Sequence, residues 1–378
     1  MSRALLYITN ARVPTEKAHG LQMLKTLEAF SRLGMSVRLV VPRRKNHIFS
    51  DPFDFYGLKP LFEVIYLPNL FGFLEDVSRD IYFVFQRAAF GTLALFFALF
   101  ALEGTVYTRD ITLAFFLSVF SCKTVVYEDH EPKRSCRALY RMFLRRIDKK
   151  VLVAKELEKV YELFGIRRDS YIYVPNGVDL TEFDSVGRDS DLWKSFLGIH
   201  NEKVVLYAGH FYLWKGVYTL LDAAKGIPAK VVLIGGTTHD RGELEAYRIQ
   251  KQLDNVITIP FMPHKEVIVF MKSADVLVLP NTGREERSSR YTTPIKLFEY
   301  MASGVPIVAS NIPSVTPFLK DAETAYLCDS DAPFALAEKV CYILNHPTDA
   351  AIVGRRAASE VRRYTWENRA KRILSFLS

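Results

Sequence analysis

The sequence predicts an α/β protein built from two doubly wound parallel sheets with helices on both faces. Three observations point there. Short β-branched and apolar runs alternate with helical periodicity along the whole chain, as in successive strand-helix units. A length of 378 residues is large for one domain and natural for two of similar size. A composition of 49% hydrophobic and 24% charged residues provides for buried cores and argues against disorder.

In the first half, residues 4–9 read as a strand and residues 20–33 as a helix with Met23, Leu27 and Phe30 on one face. Strands are expected next at 37–41, 105–107, 124–127, 151–153 and 171–174. The apolar run 88–102 stops at Glu103-Gly104, short of the roughly 18 residues a membrane span needs, so it favours a helix buried beside the sheet over a segment dipping into a membrane. Residues 181–202, with Asp184, Gly187, Asp189 and Asp191, read as a polar linker between a first domain at 1–180 and a second at 203–364. The second half repeats the alternation with strands at 204–207, 230–234, 256–259, 276–279, 305–309 and 325–328. Paired sheets of this kind bind ligands at the carboxyl ends of their strands, so the site is expected in a cleft between the halves.

Charge narrows the ligand class without fixing it. Lys and Arg exceed Asp and Glu by 50 minus 42, a net +8 that suits an anionic nucleotide or an anionic membrane face. Nothing reads as a nucleic-acid motif. Cys122, Cys136, Cys328 and Cys341 lack metal-ligand spacing and predict buried free thiols in a reducing compartment. The N-terminal Met-Ser-Arg-Ala-Leu-Leu-Tyr-Ile-Thr-Asn meets polar residues too early for a signal-peptide core, which predicts a cytoplasmic protein. Asp189-Ser-Asp191 and Asp329-Ser-Asp331 read as turns and not as metal sites.

Residues 288–311 carry the strongest functional signal. Thr293 is placed to cap a helix with Pro294 at its first position, and Gly304 ends it before a strand. Glu299 then falls inside a mostly apolar helix, where an ionised carboxylate must be satisfied; its two oxygens match a ribose cis-diol. The bland alternative is a surface pair with Lys296 one turn away. Backbone amides around Thr292 and Thr293 suit a diphosphate. Upstream, Tyr207-Ala-Gly-His-Phe-Tyr-Leu-Trp-Lys-Gly216 puts Gly209 at a strand end and Lys215 before a helix, as a point charge for phosphate.

In the first half, Glu128-Asp-His-Glu131 follows a strand, where His130 can move a proton or position a hydroxyl. Arg12, Lys17, His19 and Gly20 lie between the first strand and its helix; Gly20 there would admit a phosphate, and the three cations face donor or acceptor. Arg134, Arg137, Arg141 and Arg145 recur at helical spacing and predict a basic face, either simply solvated or, in the sharper reading, meeting an anionic membrane or a lipid-linked acceptor.

The motifs together resemble the family 4 retaining glycosyltransferases, along nearly the whole chain. The pieces are Val174-Pro-Asn-Gly-Val-Asp179, the 207–216 segment, Ala274-Asp-Val-Leu-Val-Leu-Pro280 and Ile295-Lys-Leu-Phe-Glu-Tyr-Met-Ala-Ser-Gly-Val-Pro-Ile-Val-Ala309. The resemblance implies the GT-B fold of two Rossmann-like domains, a UDP- or GDP-sugar donor and no obligatory metal. It implies that Lys215 binds the donor diphosphate, Glu299 the ribose and His130 the neighbourhood of the sugar. It also implies that Asn176 and Asp179 shape the interdomain loop and that a final helix near 365–378 returns to the first domain. Two positions depart from the family pattern: Tyr291 stands where the first acid of Glu-x7-Glu is usual, and His210 where an arginine is frequent. The first departure motivates the alternatives of a sugar-nucleotide binder without transfer or a related epimerase.

Overall fold

The computed structural model describes residues 4–74, 78–133 and 136–378, which form two compact units. One comprises residues 1–175 with Trp366–Ser378, the other Asn176–Thr365. Both are parallel doubly wound sheets.

The first unit contains strands β1 (Ala4–Ile8), β2 (Ser36–Pro42), β3 (Glu63–Leu67), β4 (Thr105–Thr108), β5 (Thr124–Asp129), β6 (Lys149–Leu152) and β7 (Tyr171–Tyr173). Their order is β3-β2-β1-β4-β5-β6-β7, so the winding reverses between β1 and β4. Both neighbours of β1 pair with it in parallel, Leu5 lying opposite Val37 on one side and Thr105 on the other. The apolar runs follow from burial on both faces: Leu5, Leu6, Ile8, Val106 and Val125 are fully enclosed. Strand β3, not expected from the sequence, is a half-exposed edge whose one sheet partner among the described residues is β2. The helix Trp366–Leu377 belongs to this unit and packs along the helix Ala18–Arg32, burying Trp366, Ala370 and Ile373.

The second unit contains β8 (Val204–Ala208), β9 (Lys230–Ile234), β10 (Val256–Ile259), β11 (Val276–Leu279), β12 (Ile307–Ser310) and β13 (Tyr326–Cys328), ordered β10-β9-β8-β11-β12-β13. Winding reverses between β8 and β11. Val205, Tyr207, Val231, Leu233, Val276 and Val278 form its core with Leu220, Leu221, Leu336 and Val340 from the covering helices. Strand β12 starts two residues later than expected, at Ile307, directly after Pro306, which has no amide hydrogen to give the ladder.

Three expectations are corrected. The stretch 181–202 is not an irregular linker: it forms the helices Leu180–Asp184 and Leu192–Leu197 and packs into the second unit. Its polar residues cap and turn the chain locally, while Phe183 and Trp193 are buried and the Trp193 indole donates to Ser273 O at 2.8 Å. The apolar run of 88–102 belongs to the helix Arg79–Phe100, which is largely uncovered; Val84 is 69% exposed, Phe96 56% and Phe100 84%. Packing against the helix Ile111–Phe120 takes up only part of its surface. Finally, only Cys328 of the free thiols is buried, and Cys122 and Cys136 are exposed.

Candidate functional site

In the second unit the chemistry gathers where the winding reverses, at the carboxyl ends of β8 and β11, the position that doubly wound sheets reserve for ligands. After β8, Gly209 adopts φ +143° and the chain passes through His210 and Tyr212, whose rings stack 5.0 Å apart, to Lys215 and Gly216. Gly216 has φ +70°, and a Cβ there would lie 1.7 Å from Pro280 O, so only glycine lets this loop pack against the end of β11. Lys215 lies over the Trp214 ring at 3.9 Å. Burial, reinforced by the charge of Arg287, lowers its pKa to about 7.

The helix of Glu299 runs Ile295–Ser303 and ends at Gly304 with φ +73°. Its N-cap is Pro294, one residue later than the expected Thr293 cap; Thr293 instead offers its carbonyl to the Asn176 side chain at 2.7 Å. Asn176 therefore pins the 291–294 loop within the second unit. Thr292 lies half-buried in the same loop, beside Tyr291.

Glu299 does not pair with Lys296. Its Oε1 lies 2.7 Å from His264 Nε2, and His264 Nδ1 lies 3.4 Å from Glu182 Oε2. Asp179 caps the short helix bearing Glu182 by accepting from Thr181 N at 3.1 Å. Burial opposes charge on His264, but Glu299 and Glu182 overcome it and raise its pKa to about 10. Lys296 instead turns inward: its ammonium is buried without a hydrogen-bond partner among the described residues, 3.6 Å from the Tyr207 ring centroid. Sequence reasoning missed His264, Glu182 and the inward Lys296, since nothing in local spacing marks partners tens of residues apart.

In the first unit the corresponding reversal lies between β1 and β4. Next to β4, strand β5 ends in Glu128 and Asp129. Glu128 is 1% exposed and receives Gln22 Nε2 at 2.8 Å, Tyr107 OH at 2.5 Å, His130 Nε2 at 2.7 Å and Arg369 Nη2 at 2.6 Å. Burial opposes its charge, yet Arg369 and His130 hold its carboxyl well below the ordinary range. A carboxylate only accepts, so His130 carries its proton on Nε2 and leaves Nδ1 as an acceptor. Burial and Arg109 lower the His130 pKa to about 4, so the ring is neutral at pH 7. Gln22 also takes Arg109 at 3.3 Å, linking that cation to the carboxylate. Asp129 is a structural neighbour, accepting from Tyr161 OH at 2.9 Å and from Tyr140 OH and Tyr127 OH.

His19 lies half-buried, and burial with Arg109 and Lys17 lowers its pKa to about 4. Arg12 bonds Glu16 at 2.5 Å, and Lys17 is exposed at the N-cap of the helix Ala18–Arg32. Gly20 is the third residue of that helix, and a Cβ on it would meet Tyr56 OH at 2.2 Å. Close packing thus accounts for the glycine without a ligand. Arg134 lies outside the described residues. Arg141 and Arg145 both donate to Phe164 O, at 2.9 and 3.2 Å, and Arg137 lies over the Phe164 ring. Asp331 has φ +59° and accepts from Thr282 Oγ1 and Gly283 N, tying its turn to the chain after β11, while Asp189 accepts from Asp191 N in a local turn.

Comparison with solved structures gives a TM-score of 0.78 to Anabaena HepE in complex with UDP-glucose, over 99% of both chains at 15% identity. Sucrose-phosphate synthase from Thermosynechococcus elongatus gives 0.75 at 20% identity, over 99% of this chain and 98% of that one. The fold is GT-B. Residues 189–360 of this GT-B chain match the family described as glycosyl transferases group 1. Among curated relatives, the phosphatidyl-myo-inositol mannosyltransferase of Mycobacterium leprae is 26% identical over 59% of this chain and 57% of its own length. The D-inositol 3-phosphate glycosyltransferase of Corynebacterium urealyticum is 24% identical over 65% of this chain and 60% of its own. The chain therefore aligns with somewhat over half the length of these relatives.

Proposed function

We propose that the protein is a retaining glycosyltransferase that moves a sugar from a UDP- or GDP-sugar to a glycan or lipid-linked acceptor. The observation that carries this reading is the grouping, where winding reverses in the second unit, of a half-buried Lys215 before a helix and a carboxylate, Glu299, held by His264. Lys215 neutralises charge that grows on the leaving diphosphate as the glycosidic bond breaks. Glu299 accepts from the ribose hydroxyls. In the first unit, neutral His130 offers Nδ1 to a sugar or acceptor hydroxyl. The fold neighbour bound to UDP-glucose and the mannosyl- and glycosyltransferase names of the relatives support the class.

The test is incubation with a panel of labelled UDP- and GDP-sugars, with product anomers assigned by NMR. Transfer with retained configuration supports the reading and inversion removes its stereochemical part. Tyr291, in place of an acid, favours one rival, a sugar-nucleotide binder; binding with neither transfer nor hydrolysis would establish that rival.

A second observation bears on where the protein works. The helix Arg79–Phe100 and its neighbour Ile111–Phe120 present exposed Phe83, Val84, Phe96, Phe100 and Phe120, beside the basic helix Arg137–Arg146. Aromatic rings next to arginines suit an anionic bilayer surface. We infer a peripheral position at the inner face of a membrane. Co-sedimentation with anionic vesicles should fall sharply on replacing Phe96, Phe100 and Phe120 by Ser; binding unchanged by those replacements would overturn it.

A further inference from the structure

Lys296 occupies the second position of the helix Ile295–Ser303, yet its ammonium is buried and has no hydrogen-bond partner among the described residues. It contacts the Tyr207 ring and reaches the end of β8 so closely that a Cβ on Gly209 would lie 2.6 Å from Nζ. The groups facing it are Lys215, whose charge repels it, Glu299, whose charge attracts it, and Tyr207, whose ring it contacts. The Tyr207 phenol does not neutralise it, since its OH donates to His210 O. The Glu299 carboxylate is already engaged by His264. A buried ammonium and a half-buried one thus lie near one another, and no anion of the protein is paired to the buried one among the described residues. A buried cation without a counter-charge is costly unless a ligand completes the site.

We propose that Lys296 is the second cation of the diphosphate site, reaching the phosphates past Gly209 from the opposite side to Lys215. This rests on the donor reading above and supplies the charge that His210, standing where an arginine is frequent, delivers only in part. Burial depresses Lys296 well below the ordinary lysine range, and Lys215 to about 7, so both are incompletely charged when no anion is present. Binding of a diphosphate should then draw protons onto them.

The experiment is titration calorimetry of UDP, GDP and uridine against the full chain at pH 7.5 in PIPES and in Tris, whose ionisation heats differ. The wild type should take up protons with a nucleoside diphosphate and not with uridine. Lys296→Met should weaken diphosphate binding by roughly tenfold or more, the loss of a charge-assisted contact, and should reduce the proton uptake. Its thermal midpoint should be equal or higher, because a buried polar group without a partner is gone; Lys296→Gln serves as the second variant should the first not fold. Diphosphate affinity and proton uptake unchanged in a folded variant would overturn the role of Lys296 while leaving the donor site standing. Failure of the wild type to bind either diphosphate would remove the donor site itself and this proposal with it.

Discussion

At the residue scale, each charged group of the second unit has a distinct task, and substitution should separate them. Glu299→Ala removes the proposed ribose acceptor and should cost about 1.5–3 kcal/mol of nucleotide affinity; it also takes a partner from the charged His264 and so should lower stability as well. Calorimetry with UDP and GDP measures it, and unchanged affinity would exclude the ribose contact. Lys215→Ala should lower kcat more than it raises KM, because the charge it faces grows towards the transition state. An increase in KM alone would instead mean uniform binding. The two glycines differ as well. Gly209→Ala places a methyl against the Lys296 ammonium, whereas Gly216→Ala drives one into the Pro280 carbonyl. Both have positive φ, so each should cost more than about 1 kcal/mol, with the larger loss at Gly216, where backbone and not a flexible side chain must yield. Thermal denaturation of the two variants provides the comparison.

At the scale of elements, the helix Trp366–Leu377 fixes the histidine site of the first unit from the far end of the chain. Arg369 is 2% exposed, bonds Glu128 and also donates to Val174 O and Pro175 O, so a single side chain ties the end of β5 to the chain after β7. Arg369→Met leaves Glu128 buried without its cation and should destabilise the protein by about 3–5 kcal/mol. Adding Glu128→Gln should restore part of that loss, as measured by urea denaturation; no restoration would show that the carboxylate's charge is not the cause. The sequence reading recognised the strand end and His130 but not this clamp, because no local pattern connects residues 128 and 369. It also misjudged the helix Arg79–Phe100, since an apolar run of that length is compatible with a covered or an uncovered face, and only the neighbours decide.

At the scale of the whole molecule, the titrating histidines give stability a shape against pH. His19 and His130 have folded pKa values of about 4 against an ordinary 6.5. The unfolded chain therefore binds more protons between those limits, and stability falls as pH drops from 6.5 to 4. His264 is the opposite case: raised from 6.5 to about 10, it contributes fully below pH 6.5 and its contribution disappears as pH rises through 10. Lys215, lowered from 10.5 to about 7, acts in the reverse direction over the alkaline range, so the informative readout is a difference. The thermal midpoint of the wild type minus that of His264→Gln should be largest at low pH and shrink towards zero near pH 10. A difference that is flat with pH would contradict a charged His264 between Glu182 and Glu299.

The sequence by itself determined the α/β class, the winding of both halves and the candidate residues Gly209, Lys215, Glu299 and His130. These depend on local physics: apolar runs buried on two faces, a helix stop at Gly304, and chemistry at the ends of strands. Tertiary structure alone decided what the charges do. It turned Lys296 inward, paired Glu299 with His264, enclosed Glu128 with Arg369 and drew the supposed linker into the second unit. Each is a contact between segments distant along the chain. Its energy depends on burial and on which group faces which, and neither is written in the spacing of residues along one element.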